Sequence, residues 1–180
     1  MRTRPLIVVV ALLLASNVAA STAHASTTLI VSGNGISDVH LRASESATVA
    51  TLTRVLGRPS TKLAATPVLT LCGVSATIRW SSMDLFFNHQ RLVGISFGPG
   101  HSPNVRTAAG LRLGNTLGRA RSLYGRKLTT STSQGGAWFV ATPVGRIEGF
   151  LNPSTARMPT SSARIWTIDV GIVGCPALSP

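Results

Sequence analysis

The chain has 180 residues, 17 basic and 5 acidic, for a formal net charge of +12. Such a charge draws polyanions over about a Debye length. Its five Phe, three Trp and one Tyr do not alternate with basic residues as on a nucleic-acid stacking surface, and no basic run exceeds Arg126-Lys127, so nucleic acid is excluded as the partner.

The N-terminus has the three parts of a secretory signal. Arg2 and Arg4 supply positive charge, Pro5 to Ala15 an uncharged apolar run, and Ala23-His24-Ala25 an A-x-A cleavage site, with Val18-Ala19-Ala20 as a second exit. The apolar run is about half of what spans hydrocarbon. Residues 1–25 are therefore expected to be a cleaved signal peptide. The mature chain is expected outside the cytoplasm, secreted or wall-associated, with no transmembrane segment. Removing Arg2 and Arg4 leaves 17 − 2 = 15 basic residues against 5 acidic.

The mature chain reads as α+β, with one helix and a strand meander written twice. Thr28–Val31 suits an edge strand, and Gly33-Asn34-Gly35 is a turn without the strand-to-helix context of a dinucleotide site. The first unit is predicted over 26–98. Its helix lies near 44–57, with Ser44 as N-cap and Gly57 then Pro59 as the stop. Val49, Leu52 and Val55/Leu56 share one helix face. Strands follow over 76–97, at Ala76–Trp80, Asp84–Asn88 and Arg91–Phe97, with a hairpin turn at Asn88-His89-Gln90.

Residues 99–110, rich in Pro, Ser and Gly nearby, read as a linker. The second unit is predicted over 111–180. Its helix lies near 115–125, capped by Asn115 or Thr116 and closed by Gly125, with Leu117, Ala120 and Leu123/Tyr124 on one face. Its strands fall within 136–171, at Gly136–Ala141, Gly145–Leu151 and Ile165–Gly171, with a turn at Thr142-Pro143-Val144. Asn152 to Ala163 reads as a long loop. The two helices open Leu41-Arg42 and Leu111-Arg112 and close on Gly57-Arg58 and Gly125-Arg126, an internal repeat.

Period-two alternation assigns the faces. Ile78, Trp80, Leu85, Phe87, Ile147, Leu151, Trp166, Ile168 and Val170 should face the helices. Arg79, Asp84, Phe86, Asn88, Arg146, Glu148, Phe150, Thr167 and Asp169 should face away. On Trp138-Phe139-Val140 either phase fits.

Cys72 and Cys175, an even count in an exported chain, are expected to form a disulfide. With His40, His89 and His101 they stand at no metal-ligand spacing, and no cofactor motif is present. Gly94-Ile95-Ser96-Phe97-Gly98 matches a nucleophile-elbow pattern, but Pro99 and Pro103 forbid the helix an elbow needs. Ser96 thus reads as a strand residue; a triad of Ser96, His101 and Asp169 is the competing arrangement. Glu148 with Asp169 is the one plausible pair of carboxylates.

The run Leu111-Arg112-Leu113-Gly114-Asn115-Thr116 before the second helix and Leu123-Tyr124-Gly125 at its end, followed by a meander, resembles the β-lactamase-inhibitor-protein-like fold and small outer-membrane lipoproteins of the SmpA and OmlA type. The signature is similar to Gly114-Asn115-Thr116…Ala120…Tyr124-Gly125; Ala43-Ser44-Glu45-Ser46 lacks the glycine. The resemblance implies two tandem repeats forming a shared or saddle-like sheet whose open face binds other proteins. The function expected is non-catalytic binding of a protein or an anionic envelope component. Phe86 and Phe150 would be the anchors, Arg79, Asp84, Arg146 and Glu148 the rim, and Asn88 and His89 the hairpin contribution. The alternatives are a cationic wall-associated structural protein and a small serine hydrolase using Ser96.

Overall fold

The computed structural model of this chain describes residues 28–100, 104–132, 136–152 and 159–172. The expected signal peptide, His101 and Cys175 lie outside the described residues, and with Cys175 lies the expected bridge to Cys72.

The described chain is mixed α+β and mostly strand. Chain order is β1 (Leu29–Ser32), β2 (Gly35–Ile36), β3 (Val39–His40), α1 (Glu45–Leu56), β4 (Thr61–Ala64), α2 (Pro67–Leu71), β5 (Ala76–Trp80), β6 (Met83–Asn88) and β7 (Arg91–Phe97). Then come β8 (Val105–Thr107), α3 (Leu117–Tyr124), a 3-10 turn (Gly125–Lys127), β9 (Leu128–Ser131), β10 (Ala137–Thr142), β11 (Gly145–Asn152), β12 (Arg164–Ile165) and β13 (Ile168–Gly171).

The larger sheet runs β4-β5-β6-β7-β13-β11-β10-β9, with β12 paired to β11. Its order reads as a four-strand meander outward from each side of a central seam. At that seam β7 and β13 pair antiparallel, Phe97 with Ile168, Ser96 with Asp169, Ile95 with Val170 and Gly94 with Gly171. A smaller sheet, β3-β2-β1-β8, joins the segments that precede the two helices through the parallel pair β1–β8.

One face of the large sheet is apolar. Ile78, Trp80, Leu85, Phe87, Ile95, Phe97, Trp138, Ile147, Leu151, Ile168 and Val170 join Leu52 of α1, Leu117 and Ala120 of α3, and Leu29, Val31 and Ile36 of the small sheet in one buried cluster. Burying apolar side chains from every layer gives the fold a single core.

Helices α1 and α3 form where local chemistry says they should. Ser44 Oγ accepts from the Ala47 amide at 3.3 Å, and Thr116 Oγ1 from the Arg119 amide at 3.1 Å. Each hydroxyl thus satisfies an amide left unpaired in a first turn. Gly57 and Gly125 take positive φ at the ends. The backbone leads into α1 and α3 by the same geometry. The Arg42 amide donates to Leu92 O and the Gly114 amide to Ile165 O; the amides of Leu92 and Ile165 donate back to Ala43 O and Asn115 O. Arg42 (φ 72) thus stands where Gly114 (φ 76) stands. In place of the missing glycine is an arginine held in a left-handed conformation, two residues off the Leu-Arg match. From cap to cap α1 runs a turn longer than α3.

Three expectations need correction. Residues 99–110 are not simply a linker, because β8 pairs with β1 and supplies Val105 to the core. Trp166 does not face inward. The last strand breaks into β12 and β13 at Trp166-Thr167, where the Phe150 carbonyl accepts from both amides, and the extra residue leaves Trp166 43% exposed. The register shift between β6 and β7 falls on β7, where Val93 is the extra residue, and β6 keeps its alternation. Val55 is exposed, so Leu56 completes the inner face of α1. The ambiguous phase settles with Trp138 inside and Phe139 outside. No helix among the described residues is long and apolar enough to cross a membrane.

A Cβ at position 114 would meet nothing within 4 Å, so the cost of a side chain there is the backbone cost alone. Gly114→Ala is expected to lower stability by about 1 kcal/mol in urea denaturation, and Arg42→Gly to leave it unchanged or raise it.

Candidate functional site

The face away from the helices is built around one row of directly paired residues. Thr61, Arg79, Asp84 and Ser96 cross from β4 to β7; Asp169, Glu148, Phe139 and Thr129 cross from β13 to β9. Direct partners in an antiparallel ladder share a face with Cβ atoms about 5 Å apart. The row therefore gathers Arg79, Asp84, Glu148 and Asp169 from the residues expected to face outward, and adjoins Phe86, Phe150 and Arg146.

Three carboxylates meet in this row, and each is handled differently. Asp84 takes a two-pronged contact from Arg79, Nε to Oδ1 at 2.6 Å and Nη2 to Oδ2 at 2.7 Å. This raises the Arg79 pKa, through the hydrogen bond first and the charge second. In the other half a phenylalanine occupies the place of Arg79. There Arg146 supplies the cation, 2.7 Å from Glu148 and with its guanidinium 4.0 Å over the Phe139 ring. Burial nevertheless pushes the Glu148 carboxyl up, opposed by the Arg146 charge.

Asp169, at the seam, has no cation paired with it among the described residues. Ser96 Oγ donates to its Oδ1 at 2.6 Å and Thr167 Oγ1 to its Oδ2 at 2.7 Å. It is 4% exposed. Burial drives its pKa from 3.8 up to about 7; the two hydroxyls oppose that rise and the neighbouring Glu148 charge adds to it.

Gly149 makes the arrangement possible. A side chain there would collide with the Thr167 carbonyl and with Trp138 Nε1. Its absence lets the broken strand approach closely enough for Thr167 to reach Asp169 and to accept from the Phe150 amide at 3.0 Å. A pocket beside the row is lined by Ala137, Trp138, Arg146, Glu148, Gly149, Phe150 and Asp169.

The expected site residues do not all gather. Arg79, Asp84, Phe86, Arg146, Glu148 and Phe150 share this face. Phe86 is only 8% exposed, so it cannot serve as an open anchor; Phe150 is half-buried. Asn88 and His89 sit apart at the β6–β7 hairpin, where His89 (φ 45) and Gln90 (φ 60) make a tight two-residue turn. Sequence reasoning picks out Ser96 and Asp169 but misses their direct contact, and it places Asp169 at the surface. The strand pattern carries no signal for its burial, since between Ile168 and Val170 the alternation puts Asp169 in the outward phase.

Chemically, Ser96 lies inside a strand and not at a strand-to-helix turn, and its hydroxyl is committed to a carboxylate. Both Asp169 oxygens are occupied by hydroxyl donors. Among the described residues no group of three His, Cys, Asp or Glu could hold a metal ion. No protein-family model, curated protein or solved structure matches this chain.

The sign of the Asp169 shift sets a pH dependence. The unfolded chain releases this proton near 3.8 and the folded chain near 7. Its contribution is therefore fully present below pH 4, declines as pH rises to 7, and is flat above. The decline is on the order of 4 kcal/mol. Asp169→Asn, which mimics the protonated form, is expected to flatten most of that slope in denaturant unfolding between pH 4 and 8. An unchanged slope would show that the carboxyl titrates normally.

Proposed function

We propose that this chain is an exported, non-catalytic binding protein, made of two tandem helix-plus-meander repeats, that recognises a protein partner through the face of its large sheet away from the helices. The duplication is favoured by the matching backbone approaches to α1 and α3, by the meanders running outward from one seam, and by Phe86 and Phe150 standing at matching positions two residues beyond Asp84 and Glu148. The shared sheet is the architecture implied by the resemblance to the β-lactamase-inhibitor-protein-like fold.

The observation that carries the binding reading is the state of the polar row. Its arginines and carboxylates are already matched to one another, and Ser96 and Asp169 are closed on each other. Such a face offers a fixed shape with Phe139 under Arg146 and Phe150 beside it, and no free acid, base or nucleophile for a reaction. Arginine and aromatic side chains on a rigid scaffold are the groups that dominate protein–protein binding energy. The expected disulfide between Cys72 and Cys175 would tie the C-terminal segment to the first half, and suits export.

Affinity capture from the producing culture, with identification by mass spectrometry, tests this directly. Phe150→Ala and Arg146→Ala, both at the pocket rim, are expected to leave the unfolding midpoint within a few degrees and to reduce capture of one specific partner at least tenfold. Capture that is indifferent to both substitutions would remove this face from the account.

A further inference from the structure

The sheet face away from the helices carries a second row beside the charged one. Leu63, Thr77, Phe86, Gly94 and Gly171 are direct partners across β4 to β13, each two residues from a member of the charged row. A threonine and two glycines shield little, so this row should be the more open of the two. The reverse holds. Thr77 is 5% exposed, and Phe86 and Gly94 are buried, whereas Arg79 is exposed and Asp84 and Ser96 are half-buried. In the other half the matching row is not closed: Ala137 and Phe150 are both half-buried.

The core does not account for this burial. Phe86 and Val74 are buried, yet neither belongs to the cluster on the helix face. Helix α2 has no buried residue; Leu69 alone is half-buried, and Val68 and Leu71 are exposed. The Thr77 hydroxyl is buried with no hydrogen-bond partner among the described residues. Buried hydroxyls are normally paired, so this one marks a place where a further polar group belongs.

The geometry of the chain says which segment can reach the row. At one end of the row Gly171 pairs with Gly94, and the Ile172 amide donates to the Val93 carbonyl at 2.8 Å. Near the other end is Cys72. Its neighbour Gly73 lies beside the Asn88 side chain, and the Ser75 amide donates to the Phe87 carbonyl at 2.7 Å. Cys72 is not a free thiol, and the sequence holds one other cysteine, Cys175. From β13 across β7 and β6 to β5 is three strand spacings, about 14 Å. Three extended residues cover about 10 Å, and a disulfide adds about 6 Å between its Cα atoms. A bridge from Cys175 to Cys72 therefore closes only if residues 173–175 run nearly straight across. The helix face is filled by the core, which leaves the route over Gly94, Phe86 and Thr77.

We infer that residues 173–175, drawn across by a Cys72–Cys175 bridge, form a strap over β7, β6 and β5 on the face away from the helices, and that this strap buries Phe86 and Thr77. The chain itself then fills the first of two matching positions and leaves the Phe150 position open. The placement stands without the binding role proposed above. Its consequence, that a partner docks on the Phe150 half alone, rests on that role.

Nuclear Overhauser contacts in the full mature, oxidised protein test the strap without any substitution. Phe86 ring protons are expected to show cross-peaks to protons of Val173 or Cys175, and Phe150 ring protons none. Broadening by a soluble gadolinium chelate gives a second readout. In C72S/C175S the broadening of the Phe86 ring is expected to rise roughly threefold while that of Phe150 stays as in wild type. If that variant fails to fold, the wild-type cross-peaks decide alone. Phe86 contacts confined to Leu69 and other described residues would overturn the strap. So would Val173 contacts that arise only between differently labelled chains, the sign of a second copy, or a folded C72S/C175S in which Phe86 stays protected. All of these are read on the isolated protein, so failure to capture a partner counts against the binding role and leaves the strap standing.

Discussion

The antiparallel pairing of β7 with β13 is the contact on which the rest of the molecule depends. Without it the large sheet would be two four-strand meanders, each with an additional unpaired edge. With it, Ile95, Phe97, Ile168 and Val170 form the centre of one buried layer that both helices cover. The same pairing sets Ser96 opposite Asp169 and so places a carboxyl at the middle of the sheet. The cost of an isolated buried carboxyl is offset by two hydroxyl donors, Ser96 and Thr167, and by a pKa raised by burial.

That solution has a consequence for function. A buried acid with a raised pKa ordinarily invites a catalytic reading. Here both carboxylate oxygens are engaged, one across the seam by Ser96 and one by Thr167 on its own side, and the nearest nucleophile is one of those donors. The raised value follows from where the seam lies. The proposed role therefore rests on a surface, the sheet face whose charges are paired.

Much of this is legible in the residues. Ser44, Gly57, Gly125 and the alternation of β5, β6, β7, β10 and β11 carry their own signals, because a cap or a half-buried strand is determined by a few adjacent side chains. The Glu148–Asp169 pair is also foreseeable as the one close pair of acids. What is not legible depends on distant chain. β4 is exposed along its whole length and forms because Thr61–Ala64 pairs with β5; nothing in Thr-Lys-Leu-Ala announces it. β8 hides among turn residues and is a strand only because β1 lies beside it. The break at Trp166-Thr167 depends on Gly149, far earlier in the chain, and with it the position of Trp166. The burial of Phe86 and Asp169 likewise depends on neighbours that periodicity does not report. Arg42 shows the reverse error. The repeat pattern asks for a glycine in the first half, and an arginine fills its conformation.

The most direct test of the seam is a carbon-13 NMR titration of the Asp169 side-chain carboxyl in the folded, uniformly labelled protein. A midpoint near pH 7, moving higher still in Ser96→Ala as one opposing hydrogen bond is lost, is the result this account predicts. A midpoint near 3.8, unmoved by that substitution, would mean that Asp169 is solvated and that β7 and β13 do not close on one another.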